Sequence, residues 1–142
     1  MSWRGGIKRD KTDTVFSWLI RERADWTCQH CGLQFRHNPK SLHCSHIFTR
    51  SMKGLRWHPL NALAHCQRCH EYLERNPLVF ADHVRDVMGG TEYAKLRVMA
   101  RKPTKLTKFE KELIHKHLLG EKKRLQALRN AGAKGLLAFT LP

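Results

Sequence analysis

Two Cys-x-x-Cys pairs, Cys28/Cys31 and Cys66/Cys69, stand thirty-four residues apart and tie two distant stretches of the chain to one point. Structural zinc is almost always four-coordinate, and two such knuckles supply four thiolates to a single ion. The competing reading, a redox dithiol, needs a strand–helix–strand setting that this chain lacks. The pairs therefore predict a structural Zn2+ held by Cys28, Cys31, Cys66 and Cys69. A filled tetrathiolate site leaves no vacancy for His70, which directly follows Cys69. The fifth cysteine, Cys44, reads as a small buried strand residue.

The rest of the composition narrows the partners. At 142 residues, 41% of them hydrophobic, the chain has the size of one domain plus an appendage. There are 27 Lys and Arg against 12 Asp and Glu, a formal charge of +15. Such a field attracts polyanions, and counterion release from a phosphate backbone favours nucleic acid. No stretch approaches the roughly 18 apolar residues of a membrane span, so no membrane partner is expected. The start, "MSWRGGIKRDKTD", has no apolar signal-peptide region, which predicts a cytoplasmic protein with reduced thiols.

Along the chain, a basic arm precedes "DTVFSWLIRER", where Val15, Phe16, Leu19 and Ile20 recur at helical spacing. That predicts a helix from Asp13 to Arg23 capped by Thr12 or Asp13. "SLHCSHIF" reads as a strand, "TRSMK" as a basic loop and "GLRWHP" as a short return strand stopped by Pro59. A short helix follows from Gln67 to Arg75. Asn76 and Pro77 then open a helix that Gly89 and Gly90 stop, and Thr91 restarts one that Pro103 breaks. "TKFE" from Thr107 has capping-box spacing for a long last helix, interrupted at Gly120, and "NAGAKG" reads as a frayed end. Ile114, Leu118, Leu125 and Leu128 on that helix fit an intramolecular core or the seam of a homodimer, so monomer and homodimer both stay open. The fold class is α+β, mostly α: a core over residues 1–76 with an N-terminal helix and the zinc knuckles, then a basic helical extension over 77–142.

Between and just after the knuckles lie His43, His46, Asn61 and His70, with fourteen residues from His46 to Asn61 and eight from Asn61 to His70. With both flanking cysteine pairs, this pattern resembles the HNH nucleases, over residues 28 to 76. "DTVFSWLIRERADWTCQHCG", "HCSHIFTR", "LRWHPLNALAHCQRCH" and the following "NP" look like phage recombination nucleases of the Rap/NinG type and related phage HNH endonucleases. Much of the Rap/NinG family ends its motif in Cys-Asn where this chain has Cys69-His70.

The resemblance implies a small ββα-metal core and a phage-encoded enzyme that hydrolyses DNA phosphodiester bonds, duplex or branched, in recombination or DNA processing. By position in the motif, His46 would be the general base, since a neutral imidazole accepts protons near pH 7. Asn61 would pin the catalytic loop or the base. His70 would hold one catalytic divalent ion, Mg2+ or Mn2+, against the scissile phosphate. HNH members usually carry Asp or His just before the base as a second ligand, where this chain has Ser45, a poor partner for Mg2+. His43, two residues earlier on the same strand face, or Glu74, one turn beyond His70, could substitute. Imidazole ligands tilt the choice of ion toward Mn2+, Ni2+ or Zn2+. Arg50 and Arg56 either grip phosphates or are solvated loop charges. The alternative to an enzyme is a catalytically silent, zinc-stapled nucleic-acid-binding protein.

Overall fold

The structure, a computed structural model, describes residues 8–102 and 104–142. The basic arm through residue 7 and the helix-breaking Pro103 lie outside the described residues. Among the described residues, five α-helices and one antiparallel hairpin follow in the order α1 (Lys11–Arg23), β1 (Leu42–His46), β2 (Ala62–Cys66), α2 (Gln67–Arg75), α3 (Pro77–Met88), α4 (Gly90–Ala100) and α5 (Lys108–Asn130).

The first helix starts two residues earlier than the apolar spacing indicates. Asp10 is the N-cap and accepts from the Thr12 and Asp13 amides, while Asp13, at N3, accepts from the Asp10 amide at 2.8 Å. Three amide donors are thereby satisfied, those of Asp10 and Asp13 reciprocally, with Asp in the place Glu usually takes. Val15, Phe16, Leu19 and Ile20 form the buried face. Asp25 and Trp26 follow with φ of 55° and 54°, a left-handed reversal that turns the chain into the first knuckle.

The hairpin pairs Leu42 with Cys66, His43 with His65, Cys44 with Ala64, Ser45 with Leu63 and His46 with Ala62. The return strand is thus "ALAHC", not "GLRWHP". Residues 54–57 form turns instead, with Leu55, Arg56 and Trp57 buried beneath them. Every residue of β2 is buried, so the strand shows no polar alternation to announce it. α2 begins at the very next residue, placing Cys66 at the end of a strand and Cys69 in the first turn of a helix.

α5 runs unbroken through Gly120. A mid-helix glycine costs about 1 kcal/mol relative to alanine, but Ile114, Leu118 and Leu125 are buried against the core that holds Phe16, Leu19 and Ile20. These positions are intramolecular core, whereas Leu128 is 37% exposed. The "NAGAKG" stretch is pinned rather than frayed. Gly135 donates to Asp25 Oδ2 at 2.9 Å, Leu137 donates to the Arg23 carbonyl at 3.0 Å, and Phe139 packs edge-on to Phe16. One core therefore joins α1, the hairpin, α5 and the tail. Among the described residues no helix is long and apolar enough to cross a membrane.

Candidate metal centre and active site

The four cysteine Sγ atoms of Cys28, Cys31, Cys66 and Cys69 lie within 4.8 Å of one another. Cys31 Sγ and Cys66 Sγ are 3.9 Å apart. A tetrahedral ion with bonds of about 2.3 Å to sulfur needs edges of about 3.8 Å, so the sulfurs already stand near the distance a thiolate-bound zinc demands. Gly32, with φ of 80°, closes the first knuckle, and the Cys31 amide lies 3.5 Å from Cys28 Sγ. Burial and the neighbouring sulfurs push the Cys69 thiol up, so the cluster resists ionising together unless a cation joins it. His30 Nδ1 lies 3.3 Å from Cys69 Sγ, a contact from outside the cluster.

His70 is not part of this cluster. Its Nδ1 is 3.3 Å from His43 Nδ1, and its Nε2 is 3.0 Å from Glu74 Oε1. A cavity of about 410 Å³ is lined by His43, His46, His70, Arg50, Arg9 and Asp13, among others, and so brings three of the expected site histidines together. Of the two residues considered as ligands on β1, the cavity presents His43 and not Ser45. Ser45 is wholly buried, and its Oγ has no hydrogen-bond partner among the described residues. Among the described residues the four cysteines are the one group of three or more His, Cys, Asp or Glu side chains close enough to hold an ion. His43 meets His70, and His70 meets Glu74.

His46 lies at the other end of β1. Its Nε2 is 3.0 Å from the Arg56 carbonyl, which can only accept, so Nε2 carries the proton and Nδ1 is the basic nitrogen. Burial lowers its pKa, the bond to the Arg56 carbonyl raises it, and Arg50 lowers it again, leaving it below the ordinary histidine value. The ring is therefore neutral near pH 7. Asn61, with no exposed surface, uses its whole amide on the intervening loop. Oδ1 accepts from the Phe48 amide at 2.8 Å, and Nδ2 donates to the carbonyls of Phe48 at 2.9 Å and Leu55 at 3.0 Å.

Arg56 departs from expectation. Its side chain is buried, its Nε donates to Asp13 Oδ1 at 2.9 Å, its Nη2 closes a second bond to Asp13 Oδ2, and it also donates to the Lys8 carbonyl. A guanidinium engaged in this way is a structural strut and not a phosphate clamp. Arg50 does line the cavity, with Nη1 3.6 Å from Asp13 Oδ2.

Two participants escaped the sequence reading. Asp13 holds the loop through Arg56 and through Trp57 Nε1 at 2.9 Å. His65, the cross-strand partner of His43, has no exposed surface and lies with its Nε2 2.9 Å from His83 Nε2. Burial, then the neighbouring His83, His70 and His30, push its pKa down to about 3. Both assignments need the strand pairing and the helix docking, which no local pattern carries. Compared with protein-family models, with curated proteins and with solved structures, the chain matches none.

Proposed function

We propose that this protein is a metal-dependent HNH-type endonuclease that hydrolyses DNA phosphodiester bonds, in DNA processing of the kind phage recombination nucleases perform, around a ββα core stapled by structural zinc. The observation that carries this reading is the posture of His46: a half-buried, neutral imidazole whose Nε2 proton is fixed on a backbone carbonyl, sharing one cavity with His43, His70 and Arg50. A base so arranged offers Nδ1 to a water without reorienting. Asn61 holds the loop that supplies the carbonyl, so it would act on catalysis through His46. Arg50 offers positive charge to a phosphate. A divalent ion held by His70, with His43 or Glu74, would polarise the phosphoryl group and steady the leaving 3′ oxygen.

Ser45 favours a second reading, a silent nucleic-acid-binding module, because the expected Asp or His is replaced by a buried hydroxyl. Cleavage of supercoiled plasmid and branched DNA in Mg2+, Mn2+ and Ni2+ separates the two. His46→Ala is expected to lower cleavage by about a hundredfold or more while DNA affinity and bound zinc stay at wild-type levels. Absence of cutting by the wild type with every ion would establish the binding module instead.

A further inference from the structure

The geometry points to a second nucleic-acid contact, resting on the nucleic-acid reading above: a lysine-rimmed groove between residues 51–55 and the α4–α5 connection holds a single DNA strand, with phosphates on the rim and an unstacked base on the floor. The groove has a volume of about 780 Å³. Its lining includes Lys53, Lys102, Lys105 and Lys111 and, among the described residues, no acidic one. None of the four lysines is paired with a carboxylate among the described residues, unlike Lys11 and Lys95 elsewhere on the surface. Four unneutralised ammonium groups around one depression select a polyanion.

The floor decides which polyanion. Met52 is 40% exposed and Val98 50% exposed, and both lie in the groove with Leu55 and Leu106. A duplex offers such a surface sugar, phosphate and the edges of its bases, but no base face, because the faces are sealed in the stack. A single strand can set successive phosphates against the lysines and lay a base on the apolar floor, where methionine makes adaptable contacts. The two walls meet closely, since a Cβ on Gly54 would collide with Thr104 Oγ1. The wall at residues 51–55 is also the loop that Asn61 holds through the Leu55 carbonyl, one residue before the carbonyl that orients His46. A strand seated there would lie against the outer side of the loop whose inner side sets the candidate base. The substrate class that follows is DNA with a single-stranded stretch beside the scissile phosphate.

The test uses the full chain, without added divalent ion, and the anisotropy of a labelled thymidine oligonucleotide and of a duplex of equal length. The variant Lys53→Ala/Lys102→Ala/Lys105→Ala is expected to bind the strand about tenfold more weakly and to flatten its slope of log affinity against log salt by about 2. The duplex should change by less than about threefold. Met52→Ser/Val98→Ser should weaken the strand by about fivefold or more with its salt slope unchanged. All five positions are surface side chains, so melting temperatures should hold. Equal losses for strand and duplex, unchanged strand binding, or displacement of the oligonucleotide by polyglutamate as readily as by unlabelled strand would each overturn the proposal. Because no cleavage is read, strand-selective losses in a protein that cuts nothing would keep the groove and remove only the nuclease reading.

Discussion

Asp13, 4% exposed, and Arg56, 7% exposed, face each other across the junction of α1 and the residues 54–57 turns. Asp13 also receives the Trp57 indole and closes the cap of α1, so one side chain joins a helix start to the loop that orients His46. Removing one partner of such a pair strands the other charge in the interior, and Asp13→Ala should cost about 3 kcal/mol of unfolding free energy. Burial raises the Asp13 carboxyl, but the bonds from Arg56, the Asp10 backbone and Trp57 outweigh it and hold the pKa below its ordinary value of 3.8. The unfolded chain therefore takes up this proton first on acidification. The stabilisation is complete above the ordinary carboxylate range and is lost as the pH falls below it and through the folded value. Urea midpoints of wild type and Asp13→Asn should differ at neutral pH and converge below about pH 4. A difference that persists undiminished into acid would show that the carboxylate charge is not what holds the loop.

At the scale of elements, α5 is held to α1 by side chains with unequal shares. Leu118 has no exposed surface and Leu128 is 37% exposed. Leu118→Ala should lower stability by about 2–5 kcal/mol, and Leu128→Ala by about 0.5 kcal/mol or less, measured by chemical denaturation. Similar losses at both positions would mean that Leu128 is covered in solution, as in a homodimer. This helix was legible in the sequence: its capping box at Thr107 and Glu110 is present, with Glu110 accepting from the Thr107 amide at 2.9 Å. Its passage through Gly120 was not, because tertiary burial on either side of a glycine outweighs a local preference. α2 and the two knuckles were equally readable from spacing. The return strand was misread because Trp57 and Arg56 resemble strand residues but are buried in turns, while "ALAHC" is covered on both faces. Of the site, His43, His46, Asn61 and His70 were visible as a pattern. Asp13 and His65 were not, because their partners lie far away in sequence and are brought near only by docking.

The whole molecule is arranged around one closure. The cysteine cluster joins residues 28 and 69 and so fixes the loop that carries β1, the candidate base and both strand partners. Ion binding and folding are coupled in such a design. Stripping the ion with a strong chelator should release Arg50, His43 and His46 from their common cavity and abolish the cooperative thermal transition, as followed by circular dichroism. The first knuckle also does something for the hairpin. Gln29 donates its amide to the Ala64 carbonyl at 2.8 Å and accepts the Ala64 amide on its Oε1 at 2.9 Å. In that way it occupies the outer rim of β2 as a third strand would. An uncovered strand rim is a template for another chain, so the demetallated protein should self-associate, visible as growth in light scattering that zinc reverses. With an ion bound, the cysteines would guard solubility as well as shape.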